Sequence, residues 1–412
     1  MAKPRSFAAV RYRNFRLLWI GLLVSHAGTW MASVGIGWTI YALTRSPLYL
    51  GLNTLVFALP VIGLPLFGGV IADRADRLRL LKVGQAGMML GALAMAVLAH
   101  AGRLGIWTLI ALNFLEGVFL AFENPSRHAL IPDLVEPPAL MSAVALAGAS
   151  YPSAAFVGPA LAGIILGAVG TERIHVLFYL NALSFLVVFL MLLAMRDVPA
   201  PQRQATSGVL QSLAEGLRYV WMTPVSRTLI LLAWVASVFS RSYTTLMPVF
   251  AVDVLDVGAR GLGFLLAAPG AGTITGSLLL AVAGEVAHKG RYYVAASLLF
   301  CAALAAFALS RLFLLSLPVL FIAGAFASTS SATALTMLQQ NTPPQLRGRV
   351  LSLMTLTFIG LPSLGGMVVA SAATVVGSPT AILAGAVIVA TAMFAVGVPI
   401  LWRTPPQAPQ QA

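Results

Sequence analysis

The sequence predicts an all-α membrane protein, with twelve transmembrane helices arranged as two pseudo-symmetric six-helix halves. Three observations predict it. Of the 412 residues, 59% are hydrophobic and 9% charged, whereas a soluble domain carries about 25% charged residues. A water-facing surface of ordinary size cannot be built from such a chain. Apolar runs of roughly 20 residues, long enough to cross a bilayer as a helix, recur from end to end. The longest polar stretch, RDVPAPQRQATSGVLQSLAEGLRYVWMTPVSR, falls mid-chain and leaves six such runs on either side.

Windows bounded by charge or by Pro/Gly turns place the first six spans near residues 17–43, 48–71, 80–100, 105–122, 140–168 and 174–195. The opening MAKPRSFAAVRYRNFR is basic and leads into apolar sequence, as a signal peptide does. That run continues to about Leu43, far beyond a signal core of about 7–15 residues, so it is expected to stay as the first span. The central polar stretch begins Pro/Gln-rich and linker-like, and its part from Leu210 to Trp221 is amphipathic enough to lie along a membrane surface. The remaining spans fall near 227–252, 261–284, 292–309, 312–338, 349–373 and 379–401. The expected domains are therefore 1–195, a six-helix half; 196–226, a cytoplasmic central loop with an interfacial helix; and 227–412, the second half with a short cytoplasmic tail.

Charge placement sets the orientation. With the N-terminus inside, the outer loops hold only Arg45, Arg103, Arg173, Arg260 and Arg311, and Arg241 falls within a span; the rest of the 25 Lys and Arg lie inside. That bias predicts both termini in the cytoplasm, as for a bacterial inner-membrane protein. It also accounts for the net charge of +13 without nucleic acid, since no nucleic-acid motif or basic face interleaved with aromatics occurs. A single cysteine, Cys301, excludes an intrachain disulfide and argues against a cysteine metal site. His26, His100, His128, His175 and His288 are scattered over several helices and both sides. No H-E-x-x-H or Gly-rich phosphate loop is present, so neither metalloenzyme chemistry nor direct ATP coupling finds support. No metal or cofactor is expected.

The halves carry traces of a repeat. EPPALMSAV before the fifth span is similar to TPPQLRGRV before the eleventh, with Pro137, Pro138, Leu140 and Val144 matching Pro343, Pro344, Leu346 and Val350 at an offset of 206. PALAG at 159–163 echoes PSLGG at 362–366. Gly158, Pro159 and Gly163 in the fifth span, and Gly365 and Gly366 in the eleventh, suit close helix contact.

A charge at mid-membrane costs about 2.5–3.5 kcal/mol on insertion scales, so each one needs a reason. His26 lies on the first span, Glu116 on the fourth and Arg241 on the seventh, and the tenth carries the hydroxyl-rich run AFASTSSATALT with Ser328 and Ser331. Helical spacing puts His26, Thr29, Ser33 and Gly37 on one stripe, Asn113, Glu116, Leu120 and Glu123 on a second, and Ser237, Arg241, Thr244 and Pro248 on a third. By rise per residue, Glu116 sits roughly 10 Å, His26 roughly 15 Å and Arg241 roughly 20 Å from the cytoplasmic helix ends. A meeting of His26 with Glu116 is expected. Glu116 reads either as the carrier of a coupling proton, since a carboxyl group in a low-dielectric cavity titrates nearer neutrality, or as part of a permanent polar core. Arg241 serves either the cavity or helix packing, and His26 reads most simply as a hydrogen-bonded neutral histidine. Trp30, Phe57, Phe119, Phe122, Tyr243 and Phe326 form either an apolar cavity wall or ordinary packing.

The loop between the second and third spans, GGVIADRADR, resembles the major facilitator pattern G-x-x-x-D-R-x-G-R-[RK] through Gly69, Asp73, Arg74 and Arg77, with Asp76 where glycine is usual and Leu78 where a basic residue is usual. NFRLLWIGLLVSHAGTWM, PSRHALIPDLV and LRGRVLSL narrow the likeness to the branch holding macrolide-efflux and enterobactin-exporter-like proteins, over nearly the whole chain. Gly158-Pro159 and Gly163 form a partial version of the family's antiporter motif. Asn113 stands where the family often has an arginine on the fourth span, so that arginine's proton-relay role does not transfer.

The resemblance implies that the first, fourth, seventh and tenth spans line a central cavity. It also implies that Asp73 accepts hydrogen bonds from the start of the eleventh span near Arg347 and Arg349, latching the cytoplasmic side. The expected function is secondary active transport by alternating access, as proton-coupled efflux of a lipophilic or amphipathic small molecule by a monomer. Import or lipid movement on the same fold, or a non-transporting membrane sensor or enzyme, are the other readings.

Overall fold

The computed structural model describes residues 7–72, 76–196, 209–284 and 288–402. Among these, every regular element is helical. In chain order they are α1 (Arg13–Thr44), α2 (Pro47–Ala72), α3 (Arg77–His100), α4 (Ile106–Leu130), α5 (Leu140–Val169), α6 (His175–Leu193), α7 (Val209–Met222) and α8 (Pro224–Phe239). There follow the short α9 (Met247–Val249), α10 (Gly258–Ala283), α11 (Lys289–Leu309), α12 (Phe313–Gln340), α13 (Arg347–Ile359), α14 (Leu361–Val376) and α15 (Ser378–Ala392). Among the described residues, eleven helical stretches are long and apolar enough to cross a membrane, and Leu361–Val376 is a further, shorter apolar helix. Aliphatic side chains lie bare along them, such as Val282 at 87% and Val375 at 84% exposure, as lipid-facing positions require.

Three spans depart from the expected continuous α-helices, the last of them by running on from α15 as a π-helix over Met393–Trp402. The eleventh is split at Gly360 into α13 and α14, where Pro362 follows in the first turn of α14 and cannot donate to the preceding turn. The seventh is continuous in extent, Pro224–Val254, but Arg241–Leu246 tightens to a 3₁₀ helix and Phe250–Val254 widens to a π-helix. The α-helical stripe expected through Ser237, Arg241, Thr244 and Pro248 is therefore broken at Arg241, because three residues per turn replace 3.6.

The chain packs as two compact units. The first holds α1, α3–α6, α2 from Val56 onward, and the opening of α10, Gly258–Ala267; the second holds Arg45–Leu55 at the start of α2 together with the remainder. In the first unit, Phe15, Leu18, Leu22, Leu81, Leu130, Val188 and Leu192 from α1, α3, α4 and α6 form one buried cluster. In the second, Phe250 stacks on Phe307 at 4.6 Å, and Trp234 donates to Thr357 at 2.9 Å. The amphipathic segment of the central loop is indeed a helix, α7. Its inner side is pinned in the second unit: Glu215 pairs with Arg349, Tyr219 donates to the Asn341 carbonyl, and Val220 is fully buried. Trp221 and Met222 stay exposed at 52% and 72%.

The halves repeat one another in backbone conformation. Gly170, after α5, has φ 89° and ψ 154°, and Gly377, after α14, has φ 84° and ψ 151°, a region essentially closed to residues with a Cβ. Several glycines lie where helices approach closely. A Cβ at Gly158 would lie 2.6 Å from the Ala27 carbonyl oxygen of α1. In the first unit, a Cβ at Gly263 of α10 would meet Gly163 Cα and the Pro159 carbonyl oxygen, each at 2.6 Å. In the second, a Cβ at Gly51 of α2 would meet Ala370 Cβ at 2.7 Å and the Gly366 carbonyl oxygen at 2.9 Å. Gly365 is closed off in turn by Val238 and Ser242.

Candidate functional site

Two polar centres lie inside the bundles, one in each unit. The first is built by α1, α4 and α5. Arg127 in the last turn of α4 forms an ion pair with Glu123, one turn earlier, at 3.5 Å; their side chains are 12% and 3% exposed. The same guanidinium donates to Asn124 Oδ1 and to His26 Nε2 at 3.2 Å. An arginine can only donate, so Nε2 accepts and the imidazole proton sits on Nδ1. That proton goes to Ser150 Oγ at 3.3 Å, and Ser150 donates in turn to the Ala147 carbonyl at 2.6 Å. The chain of hydrogen bonds thus has one direction, from Arg127 through a neutral His26 to α5. Tyr151 packs edge-on against His26 at 5.3 Å and beside Trp30 at 5.6 Å.

This corrects the expected meeting of His26 with Glu116. His26 turns instead to Arg127, whose long side chain carries charge back from the end of α4. Glu116 lies two turns earlier on α4, about 10 Å along the axis from Glu123, and is half-buried. Among the described residues no hydrogen bond or ion pair reaches it. On the same helix, Asn113 is buried, and Gly117 lets the Phe57 carbonyl of α2 approach to 2.5 Å of where a Cβ would be. Thr29 is half-buried, and Ser33 spends its hydroxyl on the Trp30 carbonyl at 2.7 Å. Of the expected aromatic wall, Phe119 is packed into the notch at Gly87, whereas Tyr151, which sequence reasoning missed, lies 55% exposed beside the polar chain.

The second centre surrounds Arg241. Its Nη2 donates to the Ala327 carbonyl at 3.0 Å and to Ser331 Oγ on α12, and the guanidinium lies 5.9 Å from the centroid of the Phe300 ring on α11. A cavity of about 20 Å³ opens beside it, bounded by α8, α11, α12 and α15. Of the other residues expected with Arg241, only Ser331 joins it. Ser328 turns toward the crossing with α10, where a Cβ at Gly276 would come within 2.7 Å of its hydroxyl. Ser237 is fully buried with no hydrogen-bond partner for its hydroxyl, and Thr244 is exposed. Tyr243 is buried at 6.5 Å from Phe300.

Of the expected cytoplasmic latch, Asp73 and Arg74 lie outside the described residues, and Gly69 is in the last turn of α2. Arg77 forms an ion pair with Asp133 at 2.7 Å and donates to the Ala129 carbonyl at 3.0 Å, tying α3 to the end of α4. Asp76 is the N-cap of α3, accepting from Leu78 N at 2.9 Å and Arg79 N at 3.3 Å. Arg347 donates to the Thr342 carbonyl at 3.2 Å, and Arg349 is held by Glu215.

Polar centres buried among membrane-length helices fit a membrane transporter, and the family match places the chain among the major facilitator transporters rather than enzymes. The match to family models is specific: the chain belongs to the Transmembrane secretion effector family, whose model spans residues 4–406. It is 24% identical to the Staphyloferrin A transporter of Staphylococcus aureus, covering 85% of this chain and 87% of that protein. It is 26% identical to the Enterobactin exporter EntS of Shigella boydii, covering 86% and 85%. Among solved structures, a bacterial homologue of the human lysosomal transporter Spinster, in an inward-facing and unoccupied conformation, superposes with a TM-score of 0.72 at 16% identity over the full length of both chains.

Proposed function

We propose that the protein is a secondary active exporter of a bacterial inner membrane, with both termini cytoplasmic. It works by alternating access and exchanges protons for a lipophilic or amphipathic solute of the siderophore, macrolide or drug kind. The full-length likeness to siderophore transporters supports the cargo class, and the Lys/Arg asymmetry supports the orientation. The observation that carries proton exchange is Glu116, a carboxyl group within a membrane-spanning helix that no described hydrogen bond or ion pair engages. Glu123 is a poorer carrier, because Arg127 already holds it. In this reading Thr29, Asn113 and Glu116 belong to the solute and proton path, while Asp73 with Arg347 and Arg349 closes the cytoplasmic side.

The test uses inverted membrane vesicles from an efflux-deficient host, energised with a proton gradient and offered a panel of siderophores, macrolides and lipophilic dyes. Export from cells is read there as proton-driven uptake that an uncoupler abolishes. Glu116→Gln is expected to lower gradient-driven uptake at least tenfold while sparing solute counterflow, which moves no net proton. Full gradient-driven uptake by that variant would sink the proton assignment, and accumulation only in right-side-out vesicles would make the protein an importer.

A further inference from the structure

The cavity beside Arg241 has a one-sided chemistry. Its polar wall is Arg241, Tyr293, Ser297, Ser330 and Ser331, and no carboxylate is among the lining residues. Tyr293 is 3% exposed, Ser330 4% and Ser297 5%, so buried side chains close the space. Its volume of about 20 Å³ suits one particle near the size of a water molecule. The hydroxyl protons of Ser330 and Ser331 are both taken by the Ala327 carbonyl, at 3.1 and 2.7 Å. The Tyr293 and Ser297 side chains lie on the same lining, and each hydroxyl carries one proton that it can donate.

We propose that this cavity binds a small monovalent anion of about chloride's size, held by the Arg241 guanidinium and the hydroxyls of Tyr293 and Ser297. A cation in low-dielectric surroundings attracts an anion far more strongly than it does in water, and that attraction favours an ion over a neutral water molecule. The small volume excludes a bulky solute. Wall residues come from four helices, Ala233 of α8, Tyr293 of α11, Ser330 of α12 and Val389 of α15, so the bound ion ties these elements together. A ligand that binds only the folded form stabilises it by mass action.

The experiment uses the full-length protein in nanodiscs of uncharged lipid, with chloride titrated against gluconate at constant ionic strength. Unfolding is followed with a thiol-reactive dye at Cys301, the only cysteine and 3% exposed. Tm is expected to rise saturably with chloride, and bromide is expected to substitute for it and to give anomalous scattering at the cavity. Ser297→Ala and Tyr293→Phe should each raise the half-saturating concentration about tenfold, and Arg241→Gln should abolish the response. If Arg241→Gln does not fold, the two hydroxyl variants carry the test. A Tm that is flat in chloride would overturn the proposal and make the cavity a water site, as would a chloride response unchanged in both hydroxyl variants. Neither readout needs a gradient or a solute, so failure here leaves the export reading standing.

Discussion

Replacing Glu123 by glutamine removes the negative end of a buried ion pair while keeping its shape. The two charges are 3.5 Å apart with side chains 3% and 12% exposed. At an effective dielectric of about 20, that separation corresponds to roughly 5 kcal/mol of attraction, and removing one member of a buried pair typically costs about 3–5 kcal/mol because the other is left uncompensated. For a unit of roughly 150–250 residues this is a fall in Tm of about 6–20 °C. Tryptophan fluorescence reads it in place, since Trp30 lies 5.6 Å from Tyr151 beside the network. Glu123→Gln combined with Arg127→Gln should recover at least half of the loss, because no orphan charge remains. If Glu123→Gln melts within about 2 °C of the parent, or if the double variant is no better than the single, the pair is not the element that holds α4 to α1 and α5.

Three further outcomes follow from particular contacts. Asp76→Ala should cost about 1 kcal/mol by uncapping α3, and Asp76→Gly only a few tenths, measured as denaturation midpoints; equal losses would mean that the cap is unimportant. Gly263→Val should cost about 1–3 kcal/mol or more by overpacking, because its side chain would run into Gly163 and the Pro159 carbonyl, and a wild-type Tm would contradict that approach. Gly377→Ala should cost about 1–3 kcal/mol through backbone strain alone, since open space surrounds its Cβ position; an unchanged melting curve would show that the turn relaxes.

Most of the helical architecture was legible because the bilayer imposes it: the length and apolarity of the spans follow from one physical constraint. The division of the spans was less so. A run such as LSLMTLTFIGLPSLGG is apolar throughout, and hydropathy does not register the break at Gly360. The 3₁₀ turn at Arg241 is equally invisible to a reading that assumes 3.6 residues per turn, which is why the expected stripe through Thr244 and Pro248 fails. At the polar centres, the hydrogen-bond partners differ from those expected. His26 was expected to meet Glu116 because the two lie at similar depth, but Arg127 at the end of α4 reaches His26 instead. The signal was present as Glu123 and Arg127 at i, i+4 spacing. Asp76 looked like a departure from a glycine-based pattern, and is a helix cap.

The twin turns at Gly170 and Gly377 supply a ruler for the duplication. Aligning them sets the halves 207 residues apart, and the same step carries Pro159 to Gly366 and Gly163 to Ala370. Those are the partners that meet Gly263 in one unit and Gly51 in the other, so the register is confirmed by contact rather than by letters. The likeness of PALAG to PSLGG pairs residues 203 apart, about one helical turn out of step. Those two runs therefore do not occupy equivalent positions in the two halves. An alignment of the halves by letters alone would slip the fifth helix by a turn and place the partial antiporter motif opposite the wrong residues. The register is set instead by the backbone conformation that Gly170 and Gly377 share.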